Sequence, residues 1–194
     1  MALFIIFFLM QTCSPVLFAD ITAEEYTLLS AVLKHGFGES CEEVAIEEKT
    51  SAGSVALTTA NRPVAEVSEI LGINEAMLAK WEKINLEFDY LEERFELPCD
   101  YRILSTEKLA TVFATADDDS PQTGWLNFKR SFPNLTGVMR LSKPIIDQQT
   151  NEALAYVEFD CGAGCGSGRF ISLSKNSENR WQVSGGSLVW MATE

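Results

Sequence analysis

Glu152-Ala-Leu-Ala-Tyr-Val-Glu-Phe-Asp-Cys-Gly-Ala-Gly-Cys-Gly-Ser-Gly-Arg-Phe-Ile-Ser-Leu-Ser-Lys175 decides the fold. Apolar and polar residues alternate from Glu152 to Phe159 and again from Arg169 to Lys175, the period of two that places one face of a strand in a core. Glycines fill the interval between them, as a reversal needs. A third alternating run, Arg180 to Val183 continuing to Leu188–Trp190, follows an asparagine and serine cluster, and Val138 to Leu141 precedes the set. Short strands separated by turn residues predict an antiparallel meander.

Upstream the period changes to that of helices. Thr22-Ala-Glu-Glu25 is a capping box, after which Tyr26, Leu29, Val32 and Leu33 repeat at helical spacing until Gly36 and Gly38. Cys41 to Lys49 is expected as a strand, with Ser54 to Thr59 as its partner. Pro63 opens a helix whose apolar face is Val64, Val67, Ile70 and Leu71, and Gly72 stops it. Asn74 caps a further helix, in which Met77, Trp81, Ile84, Phe88, Leu91 and Phe95 form one stripe as far as Pro98. A short strand at Tyr101–Leu104, a helix from Thr106 to Phe113 and a loop at Asp117–Pro121 complete the series. Helices first and strands last imply an α+β fold, N-terminal helices packed on a C-terminal antiparallel β-meander.

Residues 1–19 are expected to be a signal peptide. Met1 to Met10 is an apolar core shorter than the roughly 20 residues of a membrane-spanning helix, and Ala19 is a small residue at the cut. Residues 20–194 then form a single secreted or periplasmic domain without a membrane anchor. Cys41, Cys99, Cys161 and Cys165 are an even set for an oxidising compartment, with three pairings open. The short spacing of Cys161 and Cys165 favours a local bridge, which leaves Cys41 for Cys99.

Charge narrows the partners. With 28 acidic against 15 basic residues the net charge is −13, which repels nucleic acid. Pro63 to Trp81 looks like a helix-turn-helix, but residues 75–85 carry Glu75 and Glu82 beside Lys80 and Lys83 and no arginine, so no nucleic-acid partner is expected. Asp89, Glu92, Glu93 and Glu96 would share helical faces, and Asp117–Asp119 offer a cation site, although acids in so acidic a chain are first a solvated surface. His35, the one histidine, lies at the end of the first helix, where it complements the helix dipole. The four cysteines lack zinc-finger spacing, and the chain carries no cofactor signature.

Cys161-Gly-Ala-Gly-Cys-Gly-Ser-Gly168 with Arg169 has the composition of an anion-cradling loop, but it leads into a strand rather than a helix. The reading favoured over an anion site is a hairpin turn that needs positive φ angles and is closed by a disulfide. Gly124-Trp-Leu-Asn-Phe128, Phe132-Pro133, Gly137, Leu141-Ser142, the Glu152–Val157 strand, the glycine-rich turn, Leu173–Lys175, Trp181-Gln-Val183 and Trp190 together resemble a family of uncharacterised secreted bacterial proteins. The resemblance spans about residues 75–191 and departs at Lys143-Pro-Ile-Ile146; it implies no particular activity. It singles out Ser142 and Arg169 and, with the turn glycines Gly166 and Gly168, gives the candidate binding residues. The expected function is a non-enzymatic binding or interaction module for a small molecule or protein. The alternative is a secreted hydrolase using acidic or serine side chains.

Overall fold

The computed structural model describes residues 20–37, 43–51, 63–114 and 121–192. Helix α1 (Ala23–Phe37) leads to strand β1 (Val44–Glu47), helices α2 (Val64–Leu71) and α3 (Glu75–Ile84), strand β2 (Tyr101–Leu104) and helices α4 (Thr106–Ala114) and α5 (Pro121–Ser131). Strands β3 (Val138–Leu141), β4 (Ile145–Asp147), β5 (Glu152–Gly162), β6 (Cys165–Lys175) and β7 (Trp181–Met191) follow. The strands make one sheet in the order β2-β1-β3-β5-β6-β7, with β4 also paired to β5. The architecture is α+β as expected. The C-terminal meander β5-β6-β7 is antiparallel, while β1 joins in parallel to both β2 and β3, so the whole sheet is mixed. The expected strand at Ser54–Thr59 lies outside the described residues, as does the expected loop at Asp117–Pro121 except for Pro121, which instead opens α5.

Period two sorts the side chains onto two covered faces. Val44, Ile46, Met139, Leu141, Ala155 and Ile171 pack with Leu28, Leu29, Val32 and Leu33 of α1. On the other face Leu154, Tyr156 and Phe170 pack under α2 and α3, whereas Ala45, Val138 and Phe128 form a separate cluster with α4 and α5. Local chemistry sets the helix ends. The Thr22 amide donates to Glu25 at 2.6 Å and the Glu25 amide to Thr22 Oγ1 at 3.2 Å, the reciprocal capping box. Asn74 accepts from the amides of Ala76 and Met77, and Gly72 takes φ +64° to end α2.

The long helix expected from Asn74 to Pro98 is not formed: α3 stops at Ile84. Asn85 replaces the next turn. Its amide donates to the carbonyls of Trp81 and Lys143 and accepts from the Lys143 amide at 2.8 Å, tying the chain to the sheet. Beyond it the backbone runs irregularly over α1, with its N–H groups satisfied by distant partners instead of a helical ladder. The amides of Glu92, Phe95 and Glu96 donate to the hydroxyls of Tyr26, Tyr101 and Ser30. Leu91 and Phe95 are buried there, so the apolar spacing continued across a change of structure, while Phe88 is exposed. Asp89, Glu92, Glu93 and Glu96 consequently share no helical face, and Asp89 pairs with Lys143 at 2.9 Å. Helix α5 is not legible in the sequence, because Gly124 and a polar face mask its period; Gly124 lies against the Phe113 ring.

Cys161 and Cys165 are disulfide-bonded with Cα atoms 5.2 Å apart, closing the β5–β6 hairpin around Ala163 and Gly164, the latter at φ +77°. Cys99 is also disulfide-bonded, while the expected partner Cys41 lies outside the described residues. Replacing both Cys161 and Cys165 by serine should lower stability by about 2 kcal/mol, because the closed loop is short. Equilibrium urea unfolding of the oxidised protein and the double variant measures this, and peptide mapping without reductant checks the linkage.

Candidate functional site

Ser142 is fully buried. Its hydroxyl accepts from Trp81 Nε1 at 2.9 Å and from the Tyr156 amide at 2.8 Å, which locks α3 onto the sheet. Gly166 and Gly168 lie inside β6 on the same side, not in a loop. A Cβ on Gly166 would come within 2.7 Å of Asp160 Oδ1, and one on Gly168 would overlap Trp190 Nε1 and Tyr156 Oη. These glycines therefore make room for the Trp190 indole. Trp190 Nε1 donates to Tyr156 Oη at 2.9 Å and lies 3.2 Å from Glu158 Oε1, while the Tyr156 hydroxyl donates to Glu158 at 2.8 Å.

That network continues across the sheet as a polar belt between the two helix pairs. Arg140 bonds Glu47 at 2.8 Å and also Asp160, and Glu47 accepts from the Thr106 hydroxyl. Burial opposes the Arg140 charge, but the attraction of Asp160 and Glu47 outweighs it and holds the guanidinium above its usual range. Burial pushes the Asp160 carboxyl up; Arg140 pulls it down by less, and Glu158 adds to the rise. An acid whose pKa is raised by folding contributes most stability below its ordinary value, 3.8, and loses that contribution as pH rises through the folded value. Asp160→Asn should thus compare more favourably with the parent at pH 7 than at pH 3, as paired urea titrations at the two pH values would show.

Arg169 stands on the opposite face. The cross-strand row Val157–Arg169–Leu188 and the pair Ile171–Gly186 floor a concavity of about 1150 Å³, walled by the end of α1 at Val32, His35 and Gly36. Met139, Phe159 and Val183 add apolar surface, and Thr136, Ser167 and Ser184 add hydroxyls. Arg169 is exposed, and its guanidinium has no hydrogen bond or ion pair among the described residues, whose contribution to the lining includes no carboxylate. The structure thus separates the candidates: Ser142, Gly166 and Gly168 belong to the packing under α3 and Trp190, whereas Arg169 faces the groove. His35 joins Arg169 there, a meeting that sequence spacing could not show because 134 positions of chain separate them.

Among the described residues no helix is long and apolar enough to cross a membrane. No family model, curated protein or solved structure matches the chain.

Proposed function

We propose that this protein is an extracytoplasmic, non-enzymatic binding module whose ligand enters the groove beside α1 and sets a negative group against Arg169. The observation that carries the reading is an arginine side chain without a partner among the described residues, in a largely apolar concavity of an otherwise strongly acidic chain. Apolar walls supply non-directional affinity, and one cation fixes orientation. The separation of Ser142 from Arg169, with the serine hydroxyl already engaged by Trp81 and Tyr156, supports binding over hydrolysis. The Cys161–Cys165 bridge and the apolar residues 1–19 support an oxidising compartment outside the cytoplasm.

Decanoate combines an apolar chain with a carboxylate and serves as the test ligand. Isothermal titration should find saturable binding at one site, weakened about tenfold by Arg169→Ala, the loss of one charge-assisted contact. Since the Arg169 side chain is exposed and has no partner among the described residues, the variant should melt with the parent. Undiminished binding by the variant would remove the assigned role of Arg169.

A further inference from the structure

The groove reaches the edge of the sheet. Strand β7 contributes Val183, Ser184, Gly185, Gly186 and Leu188 to the lining and is itself the last strand, 11 residues long. Among the described residues no strand pairs with its outer side. Long sheet edges are ordinarily protected by charges, proline or a covering element, because their unpaired N–H and C=O groups are a template for another strand. Trp181–Met191 contains no charged residue and no proline, in a chain of which 22% is charged. The register skips Ser184 and Val189, leaving Gly185–Leu188 regularly paired with Ser172–Arg169. That regular stretch lies where Gly186, lacking a side chain, joins the groove floor to the edge.

We infer that the occupant of the groove is an extended peptide segment that adds to β7 as a further strand and presents a carboxylate to Arg169. This rests on the groove being the binding surface. Main-chain hydrogen bonds to Gly185–Leu188 would hold the segment, its alternate apolar side chains would enter the groove past Gly186, and an acidic one would reach the guanidinium. Charge selects this occupant over a second copy of the chain. A two-fold pairing of β7 with itself would put a second copy of the same lining, with its own Arg169, beyond the edge, and the described lining contains no carboxylate to answer either guanidinium.

The probe is fluorescein-labelled Thr-Val-Thr-Glu-Thr-Val-Thr-amide, in which both valines and the glutamate share a face, with a lysine counterpart. Fluorescence anisotropy with the whole protein should favour the glutamate peptide at least about tenfold, with the preference falling below about twofold in Arg169→Ala. N-methylation of the second, fourth and sixth residues, or of the third, fifth and seventh, removes donors from one peptide edge at a time. One set should abolish binding and the other leave it within about threefold, because only one edge of an added strand faces β7. Equal effects of the two sets would overturn strand addition. Decanoate binding without binding of any peptide would overturn the inference and leave the groove reading standing, whereas failure of both ligands would remove the groove reading itself. Concentration-dependent dimerisation that Leu188→Lys abolishes would assign the edge to a second copy and overturn the peptide.

Discussion

Gly168→Val should destabilise the protein by about 4 kcal/mol, combining overpacking with loss of buried hydrogen bonds. Even the first added carbon would occupy the space of Trp190 Nε1 and Tyr156 Oη, so the indole must leave its seat on β6. Once it leaves, buried Glu158 loses Trp190 Nε1, and Tyr156 Oη loses its 2.9 Å donor. Chemical denaturation should show the loss, and near-ultraviolet circular dichroism should report the displaced indole. Gly168→Ala should already cost about half as much. If Gly168 instead cradled an anion, the alanine variant would keep its stability and lose only ligand.

Trp81→Ala should cost about 3–5 kcal/mol, the range for removing a fully buried aromatic. The ring meets Tyr156 and Phe170 edge-on at centroid distances of 6.0 and 4.8 Å and fills the space between α3 and the sheet. Its removal also leaves Ser142 Oγ without the indole donor. Trp81→Phe keeps most of the packing and should cost about 1–2 kcal/mol, chiefly the unmade hydrogen bond. Hydrogen exchange should then show α2 and α3 loosened ahead of β5 and β6, since these helices are held to the sheet largely through the Trp81 cluster. Decanoate affinity should change little, because the groove lies on the opposite face.

The β5, β6 and β7 runs were legible because each strand sets one face against α1 and the other against α2 and α3, so alternation survives in the residues themselves. The same was true of α1, whose capping box is written in four consecutive positions. What lay beyond reading was non-local. The 3–4 spacing from Met77 to Phe95 looked like a single helix because Leu91 and Phe95 happen to bury at the same interval in irregular chain. The partners that stop the helix, Lys143 for Asn85 and Tyr26 and Ser30 for the following amides, are 58 or more residues away from them. The parallel entry of β1 beside β3 was hidden for the same reason, since nothing local in Val44–Glu47 names its neighbours. At the candidate site, the turn glycines and Arg169 drew notice as one motif, yet pleating sends Gly166 and Gly168 to one face and Arg169 to the other. His35, weighed only as a helix-end charge, proves to share the groove wall.

Amide chemical-shift mapping during a decanoate titration distinguishes ligand entry into the groove on the α1 face from binding elsewhere. Ligand in the groove gives saturable shifts concentrated at Val32, His35, Val157, Arg169, Ile171 and Leu188, and in Arg169→Ala the shifts of the other groove residues saturate only at about tenfold higher ligand concentration. Saturable shifts centred instead on Tyr156, Gly168 and Trp190, or no saturable shifts at all, would contradict entry into the groove.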